Sequence, residues 1–256
     1  MANKDLIYKD NRIIEASYKL SLIEQRIVLM AISKVNATET LTSEKIFKIT
    51  SSEYSSMFGM STDAAMREMR LAVKKLYDAS IKVIDDEDGS EVFRWISRRK
   101  STEKEQSVSI RFTADIIPYL HKLKGNFTKY QIVNISMMSS IYAIRLYEML
   151  MQWKSKQALV ITVDRLRDRL MLDSDSYKAF ANIKQKVIDK AITEINDFSD
   201  ISASYELIKT GKKVSSIKFN FAFKDKSLES KISKEDALRN LSNIKSMLDK
   251  PKGKAD

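Results

Sequence analysis

Cysteine is absent from the 256-residue chain, and histidine occurs once, as His121. The lack of cysteine excludes a disulfide framework, a thiol nucleophile and a thiolate metal site. A single histidine also excludes the paired-histidine metal site of a rolling-circle nickase. Of the five glycines, Gly211 and Gly253 precede lysine but lack the upstream glycine of a phosphate-binding loop. The acidic run 85–88 ends in a glycine and is typical of a hairpin turn. We therefore expect no enzyme, catalytic residue, metal or cofactor.

Long apolar runs are also missing, and none approaches the roughly 18 residues of a membrane span. The N-terminus lacks the basic-then-apolar layout of a signal peptide, so we expect a cytosolic protein. Lysine and arginine outnumber the acidic residues by 45 to 34, which gives a net charge of +11 and a pI near 9.5. This excess favours a polyanionic partner, and both nucleic acid and an anionic membrane surface fit it.

One pattern occurs twice. The segments that start at Ile46 and Ala158 each read as a strand, a short helix, a turn and a long basic helix. Tyr54 and Phe58 of the first segment align with leucines of the second. A repeat that ends in a helix with one apolar and one cationic face predicts two helix-turn-helix units in tandem. Duplex DNA is therefore the leading partner.

The sequence around each unit completes a winged helix. An amphipathic helix precedes each unit, and alternating strands with turn signals follow it. The predicted fold is α+β, with two tandem winged-helix domains. We expect the first domain at 1–132, the second at 133–226, and a charged tail at 227–256 whose apolar spacing permits a helix. The segment 114–132 is predicted to be a helical connection, and residues 98–106 a charged loop.

The second half carries a specific resemblance. The segment Arg145-Leu146-Tyr147-Glu148, together with Glu194-Ile195-Asn196, resembles the iteron-binding replication initiator (Rep) proteins of bacterial plasmids. The resemblance covers roughly residues 5 to 225. It implies two winged-helix domains that bind direct repeats at a plasmid origin. It also implies a homodimer in equilibrium with a monomer, the dimer binding an inverted-repeat operator and the monomer the origin repeats.

The second long helix is the better candidate for reading bases. Its outward positions at helical spacing are Lys178, Asn182, Gln185, Lys186 and Asp189. Asparagine and glutamine can bond adenine bidentately, and lysine can donate to guanine. Lys184 lies at the edge of the apolar stripe, where its ammonium is expected to reach a phosphate. A solvated helix face with ordinary surface charge is the alternative interpretation.

The first long helix offers only phosphate-type chemistry. Arg67, Arg70 and Lys74 are predicted to point outward, opposite a stripe of Met66, Met69, Val73, Leu76 and Tyr77. Since this face has no asparagine or glutamine, it suits positioning better than base recognition. The wings supply further cations that could lie along a phosphate backbone. They are Arg98, Arg99 and Lys100 in the first domain, and Lys209, Lys212 and Lys213 in the second.

The first domain is also the expected site of self-association. We hypothesise that its strands around Val92 to Phe112 exchange DNA contact for dimerisation, and that a charge at Trp95 would disrupt the dimer. A winged-helix transcriptional regulator without an initiator role is the alternative function, and a protein-interaction module is the second. Host replication proteins are a further class of partner that this interpretation allows.

Overall fold

A computed structural model of the chain describes residues 6–35, 40–85, 89–121, 123 and 125–225. The first half opens with a short strand, helix and strand, and the first helix-turn-helix unit and five more strands follow. In chain order these elements are β1 (Leu6–Asp10), α1 (Asn11–Glu15), β2 (Ser17–Tyr18), α2 (Leu22–Ser33), β3 (Phe47–Thr50), α3 (Ser51–Phe58), α4 (Thr62–Asp78), β4 (Ser80–Asp85), β5 (Gly89–Arg94), β6 (Ile96–Thr102), β7 (Ser107–Phe112) and, after a 3₁₀ turn at Ile117–Tyr119, β8 (Phe127–Gln131).

The second half repeats this plan with fewer strands. Its elements are α5 (Val133–Ser136), α6 (Ile141–Gln152), β9 (Ala158–Thr162), α7 (Val163–Leu170), a 3₁₀ turn (Asp175–Tyr177), α8 (Phe180–Ile183), a π-helical segment (Lys184–Asp189), α9 (Lys190–Phe198), β10 (Ile201–Thr210) and β11 (Lys213–Phe223). The predicted C-terminal tail at 227–256 lies outside the described residues. The described part of the chain contains no helix with both the length and the hydropathy needed to cross a bilayer.

The repeat predicted from the sequence extends to the capping residues. Thr50 and Thr162 cap the N-termini of α3 and α7 through their hydroxyls. The same two helices end in a left-handed residue, which is Gly59 with φ 67° in the first unit and Met171 with φ 51° in the second. The first helix of each unit therefore begins with the same cap and ends in the same backbone conformation, and the second unit has the longer turn, which includes the 3₁₀ turn at Asp175–Tyr177.

Each unit carries a wing with the same sheet topology. In the first unit the strand order is β3-β7-β6, and in the second it is β9-β11-β10. The strand ahead of the helix-turn-helix thus pairs with the second strand of the following hairpin in both units. This arrangement confirms the predicted α+β fold with two winged helices.

The first wing is formed by residues that we expected to be a loop. The charged run after Trp95 is strand β6, which pairs antiparallel with β7 from Ile96↔Phe112 to Thr102↔Ser107. Charge did not prevent a strand here because most of β6 is exposed, so its side chains stay in water. The acidic run predicted to be a hairpin turn lies between β4 and β5 of a separate sheet with order β2-β4-β5, in which Asp85 pairs with Gly89.

The predicted helical connection at 114–132 is also wrong. Apart from the 3₁₀ turn at Ile117–Tyr119, its regular element is β8, which pairs antiparallel with β1 at the start of the chain. Thr128 and Tyr130 of β8 are buried, and Phe127, Lys129 and Gln131 are exposed. This is the alternation of a half-buried strand. The N-terminal segment therefore completes the core of the protein, where Ile7, Ile13 and Ile14 are fully buried.

A buried ion pair joins this N-terminal segment to α6. The Lys9 ammonium lies 2.9 Å from a carboxylate oxygen of Glu148, and both side chains are fully inaccessible to water. The Tyr130 hydroxyl donates a 2.6 Å hydrogen bond to the same carboxylate oxygen. Burial, followed by the Glu148 charge, raises the pKa of Tyr130 well above its ordinary value, so the phenol keeps its proton. This ion pair therefore links the first domain to α6.

Candidate nucleic-acid interface

The outward face of α4 is cationic, as predicted. Arg67, Arg70 and Lys74 are exposed, and the opposite face is buried through Ala65, Met66, Met69, Ala72, Val73 and Leu76. Tyr77 was placed in the buried stripe, but its side chain lies at the helix edge and is exposed. The guanidinium of Arg99 lies 5.7 Å from the centroid of its ring, so Tyr77 connects the helix to the first wing.

Two of the α4 cations already have acidic neighbours. Arg70 bonds Glu103, which lies in the turn between β6 and β7, and Arg67 lies 3.4 Å from Glu68. These pairs are exposed, and exposed ion pairs contribute at most about 1 kcal/mol because water and salt screen them. A phosphate can therefore replace the carboxylates at small cost.

The second long helix runs without a break from Phe180 to Phe198, but it is not α-helical throughout. Its buried face carries Ile183, Val187, Ile188, Ala191 and Ile195. Gln185 and Lys186 are exposed on the other side, and Asn182 is half-buried. An amide and an ammonium therefore point outward from adjacent positions in the middle of this helix.

The π-helical segment changes the roles expected of two residues. A π-helix places side chains five positions apart on one face, and the Lys184 ammonium bonds the Asp189 carboxylate at 2.9 Å. Tyr205 on β10 donates to the same carboxylate. Burial raises the pKa of Asp189, but the hydrogen bonds from Tyr205 and Lys184 outweigh it and lower that pKa overall. The bond to Asp189 in turn raises the pKa of Lys184.

Lys184 and Asp189 therefore fasten the helix to the wing. Asp189 was expected on the outward face, and its side chain is 41% exposed, but its carboxylate is bonded by a lysine and a tyrosine. Lys184 was expected to contact a phosphate, and the Asp189 carboxylate competes with a phosphate for its ammonium group. Nothing in the sequence spacing marked the change of helix type, since the apolar stripe is the same for either geometry.

Lys178 does not belong to the second helix. It follows the 3₁₀ turn, two residues before the helix begins, and its ammonium lies 2.9 Å from Asp175. Its backbone carbonyl accepts a 2.8 Å hydrogen bond from Arg167 on α7. Lys178 is highly exposed and lies in the turn between the two helices of the unit, where a cation can contact a phosphate but is poorly placed to read a base.

Both wings carry exposed cationic side chains. Arg98 and Arg99 lie on β6, opposite Arg111 and Ile110 of β7. In the second domain Lys212 lies in the turn of the β10–β11 hairpin beside Gly211, which takes φ 61°, and Lys213 begins β11. A positive φ at this turn suits glycine because other residues are strained there. Both wings therefore carry cations, one along its first strand and the other at its tip.

Two buried arginines, Arg26 and Arg145, have structural roles that the sequence analysis did not predict. Arg26 of α2 donates two 3.0 Å bonds to the carbonyls of Ser136 and Met138, just before α6. Arg145 of α6 donates to the carbonyls of Ile14 and Ala16 at 3.2 and 2.7 Å. It also bonds the Arg169 carbonyl on α7 and stacks 3.7 Å from the Tyr18 ring. Equivalent arginines thus tie each half of the chain to the other.

Glu194, in the second segment of the resemblance, has a comparable structural role. Its carboxylate accepts bonds from the backbone amides of Ser139 and Ser140 at 3.0 and 2.9 Å, at the N-terminus of α6. A carboxylate at that end of a helix is favourable because it meets unpaired amides and the positive end of the helix dipole. The segments that resemble the family therefore hold the scaffold together.

Within the described ranges no group of three or more histidine, aspartate or glutamate side chains is arranged to hold a metal ion. The acidic hairpin tip at 86–88 lies outside those ranges. His121 is buried beside a cavity that is lined by Tyr8, Ile32, Val35, Leu120, Leu123 and Phe127. The candidate interface in the described part of the chain therefore consists of the exposed cations of α4 and the wings, and of the amides and cations of the second helix.

Two models of protein-domain families match this architecture. The sequence model of the WH1 domain of initiator replication proteins matches residues 6–151, and that of the WH2 domain of initiator Rep proteins matches residues 162–221. The first match continues through α6, beyond the division predicted at residues 132 and 133, which stays a prediction.

Two relatives and one solved structure are similar along most of their length. An uncharacterized 27.6 kDa protein of Escherichia coli is 25% identical over 229 residues, which is 85% of this chain and 96% of that protein. The PI protein of Escherichia coli is 26% identical over 255 residues, at 85% and 83% coverage. The crystal structure of the Pi initiator protein in complex with iteron DNA shares the fold, with a TM-score of 0.75 and 24% identity, and covers 88% of this chain and 100% of that one. This chain belongs to the family of initiator replication proteins and contains their WH1 and WH2 domains in order.

Proposed function

We propose that this initiator starts plasmid replication by binding directly repeated sites, or iterons, in duplex DNA at the origin. The observation that carries the proposal is the tandem repeat itself, in which each winged helix ends in a long helix with a polar, cationic outer face. The Pi initiator protein, which has the same fold, is crystallised with iteron DNA. We propose that the protein acts in the bacterial cytosol by binding rather than catalysis, with no metal or cofactor.

The two helices are proposed to divide the work. The second helix offers Gln185 and Lys186 at exposed positions and Asn182 at a half-buried one, and these groups can bond base edges in the major groove. The α4 cations Arg67, Arg70 and Lys74, with the wing cations Arg98, Arg99, Lys212 and Lys213, are proposed to contact phosphates. Lys178 is proposed to contact a phosphate because it lies in the exposed turn before the helix. Lys184 is proposed to contact a phosphate by exchanging its bond to Asp189 for one to the DNA backbone.

Gln185→Ala is expected to relax base preference at one defined position of the site, at a cost of about 1–3 kcal/mol for the preferred base. The physical reason is that a bidentate amide contact exists for adenine only, so its loss affects one base pair. Arg70→Ala is expected to weaken all sequences by a similar factor, because a phosphate contact carries no base identity. The measurement is a base-substitution profile of binding for each variant.

Lys154→Ala serves as the matched control, because it removes one exposed cation in the turn after α6, outside the recognition helices and wings. Its profile should match that of the wild type. A loss of preference at one position in Arg70→Ala, equal to that in Gln185→Ala, would contradict the division of work.

We also propose that the first domain mediates self-association, and that the dimer binds an inverted-repeat operator. Strand β5 is paired on one side only within its described sheet, which leaves an edge that a second copy could extend. On the same face of this sheet Val92 and Ile84 are 65% and 50% exposed. The test suggested for Trp95 is unsuitable, because Trp95 is fully buried against Tyr18 and a charge there would unfold the domain.

Val92→Glu is therefore expected to abolish the dimer and keep the monomer that binds direct repeats. Like charges would face each other across a paired edge, and the monomer has water around the same carboxylate. Val160→Glu is the control, since Val160 is 59% exposed on β9 in the wing sheet of the second domain. The measurement is the size of the complex, monomer or dimer, that each variant forms on direct-repeat and inverted-repeat duplexes. Dimers of Val92→Glu with wild-type affinity would show that β5 is not the interface.

A further inference from the structure

Leu71 stands in an unusual place on α4. It lies on the outward face between Arg67 and Lys74, at the i, i+4, i+7 spacing that aligns side chains along one side of a helix. Its side chain is 48% exposed, whereas the six core residues of α4 are all buried. A large apolar group therefore occupies the middle of a cationic face.

The fold gives no reason for leucine at this position. The core contacts of α4 are made by residues on the opposite face, such as Met69 and Leu76, which are fully buried. Lysine, glutamate and arginine have helix propensities close to that of leucine, so helix formation does not require it either. Single exposed leucines are common on protein surfaces. This one is set apart by its cationic neighbours one turn away on each side.

We propose that Leu71 contacts the C5-methyl group of a thymine in the major groove and thereby gives α4 one base-specific contact. The inference rests on the proposed binding of DNA by this helix. Thymine is the only base that presents a methyl group in the major groove, and apolar side chains recognise it by contact. Arg67 and Lys74 hold the phosphates on either side of the groove, so the side chain between them faces the base edges.

This assignment changes the role of the first domain. The outward face of α4 has no amide group, which had limited it to phosphate contact, but an apolar side chain reads a methyl group without any hydrogen bond. The preference should be confined to one base pair, and it should depend on the methyl group alone. Exchange of thymine for deoxyuridine removes that group and leaves the pairing edge unchanged, so it isolates the contact.

The experiment begins with selection of a high-affinity duplex from a random pool by the full-length chain. Each thymine of the selected site is then replaced singly by deoxyuridine, and affinity is measured for the wild type and for Leu71→Ala. At one thymine the wild type should lose about four-fold in affinity, which corresponds to one buried methyl group. Leu71→Ala should lose nothing further at that thymine and should show the wild-type response at all others.

Two further variants control the result. Leu71→Met keeps an apolar side chain of similar volume and should retain the sensitivity to deoxyuridine. Ile208→Ala removes an apolar group that is 41% exposed on β10 and should change nothing at that thymine. Equal losses in wild type and Leu71→Ala, or no sensitive thymine in the wild type, would overturn the inference while DNA binding stands. Failure to select any duplex would instead overturn the proposed function.

Discussion

Raising the salt concentration from about 50 to about 200 mM is expected to weaken binding of this initiator to its DNA site by about 10³–10⁵-fold. The expectation follows from roughly 6–10 phosphate contacts, each of which releases condensed counterions when a lysine or arginine replaces them. The exposed cations of α4 and the two wings are sufficient for that number. Titration of a labelled site duplex at several salt concentrations gives the slope of log affinity against log salt.

Variants of the wings make this measurement residue-specific. Arg98→Ala combined with Lys212→Ala should reduce the steepness of the slope by about two, since each phosphate contact contributes about one. Lys154→Ala should leave the slope unchanged. A salt-independent affinity in the wild type would mean that the cationic helices and wings do not meet the DNA backbone, and the proposed interface would then be wrong.

Removal of either partner from the buried ion pair is expected to destabilise the protein by about 3–5 kcal/mol. Lys9→Met leaves the Glu148 carboxylate buried without its cation, and Glu148→Gln leaves the Lys9 ammonium buried without its anion. Both side chains are fully inaccessible to water in the folded protein, so solvent cannot compensate the orphaned charge. Urea unfolding of each variant measures the loss of free energy.

The double variant separates a charge effect from lost packing. With Lys9→Met and Glu148→Gln together no charge is buried, and the glutamine oxygen can still accept the bond from Tyr130. The combined loss should therefore be much smaller than the sum of the two single losses. Lys178→Met is the control, because its ion pair with Asp175 is highly exposed and should contribute less than about 1 kcal/mol. Additive losses would show that the charges do not act as a pair.

The elements that the sequence predicted correctly are those specified by local signals. The two helix-turn-helix units carry apolar stripes at helical spacing and threonine caps, and both signals lie within a few residues of the structure that they specify. The tandem arrangement followed from the internal repeat. The segments that carry the resemblance to the family, such as Arg145 to Glu148 and Glu194, make buried contacts in the structure.

The elements that were missed depend on distant partners. β6 is charged and becomes a strand because β7 pairs with it. β8 was assigned to a helical connection because its partner, β1, lies at the other end of the domain in sequence. Trp95 was expected at a dimer edge, although it packs on Tyr18 of the N-terminal segment. Strand pairing and burial of this kind are tertiary effects that override local preference.

The candidate site was predicted in part for the same reason. Outward cations on α4 follow from its period, and the structure confirms their exposure. The π-helical segment that pairs Lys184 with Asp189, and the position of Lys178 before the helix, could not be read from apolar spacing, which is similar for both helix types. The DNA contacts of the exposed side chains are predictions, and the binding experiments described above test them.

The pairing of β1 with β8 also has a consequence for biosynthesis. The ribosome releases β1 before β8, and at roughly 5–20 residues per second this partner strand follows on the order of ten seconds later. Glu148 of α6, which neutralises the buried Lys9, emerges later still. β1 of the nascent chain must therefore wait, unpaired, until β8 has been translated, and the first winged helix reaches its final packing only when the second has begun to emerge.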